Sequence, residues 1–372
     1  MKKIIQIFLL SATLSSLLYN CQKANVMNDT YMYETGSGCD ESYPIDTYRQ
    51  VFYSEDNEMI QIDGMGFQRG PWGNGGVTYV KNEQKDKKLP ATMKVGYYSY
   101  AEDKFYEGEF SLPVEKIREY LNEKSDDPEY ANKKNEESKD GIFHKYNRIE
   151  VGFTLGGMVV LWMKGEDAQK VLATFTAKEA FPDWKSVFED SDRKEKVEYG
   201  LNNDVYTPKV KNEILTKTLP LDLWKTYDDR FNWNVLVSLP SGGKLENISV
   251  KTINAETETL YKADQGNKKR AVPYNIEFFW SLNGKQYNSR IVFGENMNYY
   301  NAIYKATKAS AREARPADFR QEEVFKNFHQ LKPAEPAQLI INVSNDQSLS
   351  VSLKQGDQNL PFKSIIAKTF GQ

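Results

Sequence analysis

The chain has 372 residues, with 49 basic and 52 acidic side chains, a formal charge of −3 and a mean hydropathy of −0.67. That near-balance, with no long basic run, excludes a nucleic-acid-binding protein, and beyond the first twenty residues no apolar run approaches spanning length. A remainder of about 350 residues is more than one core usually needs, so two domains are expected.

The chain opens MKKIIQIFLLSATLSSLLYNC. Lys2 and Lys3 form a basic n-region. The apolar run from Ile4 to Leu18 is interrupted by Gln6, Ser11, Thr13, Ser15 and Ser16, so it is too short and too polar to anchor as a spanning helix. It closes on Leu18-Tyr19-Asn20-Cys21, which resembles a bacterial lipobox, although Asn20 stands where a smaller residue is usual. The expectation is a signal peptide over residues 1–20, cleavage before Cys21 and a diacylglycerol on the Cys21 thiol. The alternative is an ordinary secretory signal cleaved nearby, which leaves Cys21 an incidental thiol. Loss of Lys2 and Lys3 with the signal moves the formal charge from −3 to −5. Gln22-Lys23-Ala24-Asn25-Val26 lacks an acidic cluster, so a lipid anchor in the outer membrane facing the periplasm is expected, with surface exposure as the alternative.

Residues 21–45 are polar and contain Gly36, Gly38 and Pro44, which reads as a flexible tether. With Cys21 acylated, Cys39 has no partner in the chain, so the domains are expected to fold without disulfides and Cys39 to be a spectator thiol. Next comes Phe67-Gln68-Arg69-Gly70-Pro71-Trp72-Gly73-Asn74. A tryptophan among glycines, flanked by arginine and asparagine, suits a protein hot spot or a sugar-stacking platform. Arg69, Trp72 and Asn74 are therefore the candidate ligand-binding or partner-binding residues. The plainer alternative is a core anchor at a hairpin corner, with the glycines serving backbone turns.

Further along, two segments recur. Residues 148–178 lie without gaps on residues 338–368 at an offset of 190. Ile149, Val151 and Phe153 then fall on Leu339, Ile341 and Val343, and Val159, Leu161 and Met163 on Leu349, Val351 and Leu353. Each copy is a pair of period-two strands around a turn at Gly156-Gly157 or Asn345-Asp346. Met158, Val160 and Trp162 line the other face of the first copy, which is expected to be covered too. Residues 95–113 match residues 276–294 at an offset of 181, placing Tyr97-Tyr98 on Phe278-Phe279 and Tyr106 on Tyr287, with a hairpin signal at Asn283-Gly284. Trp162 and Trp280 read as core. A helix is expected from Leu112-Pro113, with Val114, Ile117, Tyr120 and Leu121 on one stripe. Its counterpart is expected over residues 298–310, and a further helix over 316–331. Residues 122–140 read as a charged surface loop.

The fold class expected is α+β, with antiparallel β-sheets, a few packed helices and an internal duplication giving two similar domains. The boundaries are a first domain over residues 46–185, a linker over 186–218 with no convincing element except a strand near Val205, and a second, divergent domain over 219–372.

Catalytic chemistry is hard to find. His144 and His329 are the two histidines, and a helix-terminal histidine needs no catalytic explanation. The zinc motifs, the Gly-x-Ser-x-Gly elbow and the phosphate-cradling loop are missing. The acid pairs Asp126-Asp127 and Asp228-Asp229 read as solvated or structural rather than as glycosidase carboxylates. No catalytic residue, metal or cofactor is expected.

The lipobox, Leu89-Pro90, Tyr97-Tyr98-Ser99, Leu112-Pro113 and Arg148-Ile149-x-Val151-Gly152-Phe153, followed by Gly156-Gly157-x-Val159-Val160-Leu161-Trp162, together resemble a family of Gram-negative lipoproteins. That family is known only as a domain of unknown function, number twenty-nine thirty-one. The resemblance is best over residues 76–178. The second half departs from it at Asn345-Asp346 and Ser352. It implies an envelope lipoprotein and supplies no catalytic residues.

The leading expectation is a non-enzymatic, membrane-anchored binding protein of the cell envelope with a protein partner, one form being immunity to a periplasmic toxin. The alternative is a carbohydrate-binding or carbohydrate-processing lipoprotein that uses Trp72. A third class is envelope maintenance without a discrete ligand.

Overall fold

The computed structural model describes residues 30–70, 72–73, 86–130, 132–136, 138, 140–189, 191–202, 205–261, 266–293 and 322–371. The expected signal peptide, Cys21, Asn74 and the helix expected over 298–310 lie outside them.

The first half runs β1 (Thr30–Tyr31), β2 (Glu34–Cys39), β3 (Ile45–Ser54), β4 (Met59–Gln61), β5 (Gly66–Gln68), β6 (Lys87–Lys88), β7 (Pro90–Ser99), β8 (Lys104–Ser111), α1 (Val114–Leu121), β9 (Arg148–Phe153), β10 (Met158–Lys164), β11 (Ala168–Thr176) and β12 (Lys178–Ala180). Then come α2 (Trp184–Phe188), α3 (Arg193–Asn202) and α4 (Pro208–Thr216). The second half follows as β13 (Phe231–Ser238), β14 (Lys244–Thr252), β15 (Thr257–Leu260), β16 (Lys268–Arg270), β17 (Pro273–Leu282), β18 (Lys285–Phe293), α5 (Glu323–Phe328), β19 (Ala337–Val343), β20 (Leu349–Gln355), β21 (Gln358–Pro361) and β22 (Ile365–Gly371).

Strands dominate, as the aromatic and β-branched composition leads one to expect. One sheet has the order β12-β8-β7-β3-β4, and another β16-β13-β19-β20-β21. A nine-stranded sheet, β2-β9-β10-β11-β15-β14-β17-β18-β22, runs through both halves. Most pairs are antiparallel, but β2 lies parallel to β9 and β13 parallel to β19, so the sheets are mixed rather than wholly antiparallel.

The same pairing order occurs twice. In the first half β3, β7, β8 and β12 are neighbours, and β2, β9, β10 and β11 form a second run; β14, β17, β18 and β22, and β13, β19, β20 and β21, repeat both runs. Registers agree as well. Ile149 faces Met163 and Val151 faces Leu161, as Leu339 faces Leu353 and Ile341 faces Val351, which keeps the offset of 190. The other hairpin needs a correction. Tyr97 pairs with Tyr106 and stacks on it at 5.4 Å, whereas Trp280 pairs with Tyr287 and stacks on it at 4.4 Å. Tyr97 therefore corresponds to Trp280, two residues beyond Phe278. The ungapped match missed this because four residues, 100–103, turn the first hairpin while Asn283-Gly284 alone turn the second.

β10 is buried on both faces, which explains its unbroken apolar run. Val159, Leu161 and Met163 join Tyr97, Ile149 and Phe153 in a core within the first half. Met158, Val160 and Trp162 face the opposite way, into a core shared with Trp224, Trp233, Phe278 and Trp280 of the second half. The turn before β10 needs its glycines: Gly156 and Gly157 have φ of 69° and 77°, and a Cβ on Gly157 would stand 2.3 Å from the Ala177 carbonyl oxygen.

Two other expectations change, and the charged surface loop is found with added contacts. Within the expected tether, residues 34–39 form a strand of the central sheet, and Cys39 is buried. The stretch 186–218 carries most of α2 and all of α3 and α4 instead of a bare linker. The charged stretch 122–140 folds back onto its own end: Lys124 bridges to His144, and Tyr130 stacks on Phe143 at 4.3 Å.

Candidate functional site

Alternation on β7 sends Tyr97 into the first core and Tyr98 to the opposite face of its sheet. Phe105 of β8 stands directly across from Tyr98, and the two rings are 4.9 Å apart. α2 lies over this pair. Asp183 caps it by accepting the Ser186 N–H, and Trp184 and Phe188, four residues apart, share one helical face. Their rings meet Tyr98 at 5.3 and 5.5 Å and Phe105 at 5.7 and 6.0 Å.

α3 adds cations. The Lys196 ammonium sits 3.5 Å from the Phe188 ring centroid and 5.6 Å from that of Tyr100, and it pairs with Asp46 at 3.2 Å. Arg193 lies over Trp184 at 5.7 Å and binds Asp103 at 2.8 Å. The phenols are tied down in turn, with Tyr98 donating to Asp103 and Tyr100 to Asp46. Burial, together with these carboxylate acceptors, holds both phenols far above their ordinary pKa, so they stay neutral donors.

Three large side chains at or near this cluster remain in water. Phe67 is 56% exposed and meets Tyr100 edge-on at 5.8 Å. Phe181, 87% exposed, precedes α2 directly after the β12–β8 pairing, and Tyr199, 65% exposed, lies one turn beyond Lys196 on α3. The result is a half-buried aromatic floor with exposed aromatic edges and both signs of charge. It has the composition of a protein-binding hot spot.

Of the sequence-predicted binding residues, Arg69 and Trp72 lie among the described residues, and neither presents an exposed platform. Trp72 is buried, packed edge-on at 4.9 Å against Trp162 and 6.3 Å from Trp224, so it presents no platform. The glycines mark a loop folded inward, where the Gly73 carbonyl accepts a hydrogen bond from Gln169 at 2.7 Å. Arg69 donates to the Glu41 carbonyl at 3.2 Å. Cys39 donates to the Gln68 carbonyl at 3.1 Å, and burial, with Asp40 nearby, pushes its thiol up to about 12. His144 pairs with Asp140 and His329 with Asp229, each at 3.0 Å. Asp228 accepts from Asn254 at 3.0 Å and pairs with Arg230 at 3.4 Å. Among the described residues no cluster of three or more His, Cys, Asp or Glu is arranged to hold a metal ion, and no helix is long and apolar enough to cross a membrane.

Sequence reasoning passed over Trp184, Phe188 and Lys196. A signal was present: Pro182-Asp183 followed by aromatics four apart is a capped helix start with a single aromatic face.

No curated protein and no solved structure matches the chain. The family described as "Protein of unknown function (DUF2931)" matches residues 20–222, more than half of the chain and all of the aromatic cluster. The chain therefore belongs to the DUF2931 family.

Proposed function

We propose that this protein is a lipid-anchored, non-enzymatic binding protein of the bacterial envelope that holds a protein partner on the aromatic face over β7 and β8. The observation that carries this reading is the group of exposed rings, Phe67, Phe181 and Tyr199, around the half-buried Trp184 and Phe188, which cover the buried Tyr98. Rigid aromatics beside arginine and lysine give large contact area at low entropic cost. The anchor rests on the basic, apolar and cysteine-terminated pattern of residues 1–21. Immunity to a toxin delivered into the periplasm is the narrower form of the same reading. The glycan alternative leaned on an exposed Trp72, and with that ring buried it loses its residue.

We also infer that the two halves are a duplicated pair. The repeated strand order and the shared register at an offset of 190 support it.

The test is affinity capture from the organism's own envelope with the full chain, alongside Phe181→Asp. The expected result is one stoichiometric protein retained by the parent and lost, by at least tenfold, from the variant. Equal retention by both sinks the assignment of this face. Retention of glycan in place of protein sinks the class.

A further inference from the structure

Where the halves meet, β11 pairs with β15 through Ala168–Glu258 and Gln169–Thr257, so Lys170 and Glu258 share a face of the long sheet. Lys145, Arg230, Lys268 and Arg270 gather beside them. Most of this charge is matched. Lys145 pairs with Glu123 and Asp126, and Arg230 with Asp228 and Glu256. The second Glu256 oxygen accepts the Val171 N–H at 3.1 Å.

Among the other three cations, Glu258 binds two directly, while Glu256 stands near Lys170 and Arg270 and Asp126 near Lys268. Lys268 and Arg270 both bind Glu258, and among the described residues Lys170 makes no hydrogen bond or ion pair. Arg270 is 3% exposed; its Nε bonds Glu258 at 2.9 Å and its Nη1 the Trp233 carbonyl, but its buried Nη2 has no acceptor among the described residues. A buried guanidinium donor without an acceptor is costly unless something else accepts it. The groups also repel one another: burial and then Arg270, Lys170 and Lys145 push the Lys268 ammonium down to about 8.

We propose that this seam binds a phosphate group, with Lys170, Lys268 and the free Nη2 of Arg270 as its donors. A tetrahedral oxyanion offers acceptors in several directions at once, matching a guanidinium edge and two ammonium groups that come from two strands. The site is built from β11, β15 and β16 rather than from β7, β8 and α2, and does not depend on that reading. The phosphate can be free or part of a phosphodiester headgroup.

The experiment is thermal unfolding of the full chain in detergent with inorganic phosphate, with glycerophosphoglycerol, or with chloride at equal ionic strength. The expected result is a Tm rise of at least about 2 °C from one of the first two at saturation. Phosphate alone acting identifies the free anion, and the diester acting identifies the headgroup. Lys170→Met is expected to abolish the rise with little change in the basal Tm, since the Lys170 side chain makes no direct hydrogen bond or ion pair among the described residues. Lys268→Met, at a more exposed position, is expected to weaken it. The rise is also expected to fade above about pH 8 as Lys268, faced by Arg270, Lys170, Lys145, Glu258 and Asp126, loses its proton. No rise beyond chloride, or an undiminished rise in Lys170→Met, overturns the proposal.

Discussion

Trp72 and Trp162 meet edge to face at 4.9 Å above Gly152, where a Cβ would come within 2.2 Å of the Trp162 ring. The indole N–H of Trp162 donates to the Asn254 carbonyl at 3.1 Å, which ties this aromatic pair to the second half. Replacing Trp72 with alanine is therefore expected to empty a core position and cost about 3–5 kcal/mol. Phe181→Ala, at an 87% exposed position, is expected to stay within about 0.5 kcal/mol. Urea unfolding of both variants checks the contrast. A Trp72→Ala variant as stable as the parent contradicts the buried packing. Trp162 and Trp280 were legible in the sequence because each sits in a period-two apolar run that predicts its burial. Trp72 was not, because its neighbours are glycines, and glycine permits an exposed loop and a close inward approach equally well. Here it serves the second: a Cβ on Gly73 would meet that of Ala255 at 2.1 Å.

Helices α2 to α4 show what kind of element the hydrophobic pattern leaves hidden. The only buried residue of α3 is Gly200, packed beneath Tyr206, and the only one of α4 is Val210. Neither helix presents the wide apolar stripe that makes α1 readable, so the stretch 186–218 looked like a linker. Their boundaries were written in the caps instead. Asp192 accepts the N–H groups of Lys194 and Glu195, and Thr207 accepts that of Val210 at 3.3 Å ahead of Pro208. At the far end of α4, Lys217 takes the left-handed conformation at φ 56° that glycine adopts more easily. Thr207→Ala is expected to cost about 1 kcal/mol, because α4 has little burial to hold it otherwise and its first turn would lose an acceptor. Serine at the same position is expected to restore most of the loss, and denaturant melts of the two variants measure it. The aromatic face depends on the same kind of local order, since α2 brings Trp184 and Phe188 onto Tyr98 through the Asp183 cap.

At the scale of the whole molecule, the hairpin of β9 and β10 and its counterpart β19 and β20 were legible because both keep one register, whereas the hairpin of β7 and β8 slips by two residues against β17 and β18. What the repeat could not reveal is that one sheet passes through both halves, since the strands that join, β11 and β15, pair over only two residue positions. A ladder of two rungs, Ala168–Glu258 and Gln169–Thr257, leaves no periodic trace. The coupling comes instead from the shared core, in which Met158, Val160 and Trp162 of the first half are covered together with Trp224, Trp233 and Phe278. Removing everything after residue 222 would keep the whole stretch matched by the family yet uncover that face of β10. The large apolar area then exposed favours association or a loosely packed state. The full chain is expected to lose near-ultraviolet dichroism and tryptophan fluorescence in one coincident denaturant transition. The shortened chain is expected to bind a hydrophobic dye and to unfold with a midpoint well below that of the full chain. A shortened chain that binds no dye and unfolds at the parent's midpoint would show the halves to be independent domains, and the seam between them would then be a contact of two finished folds rather than part of one.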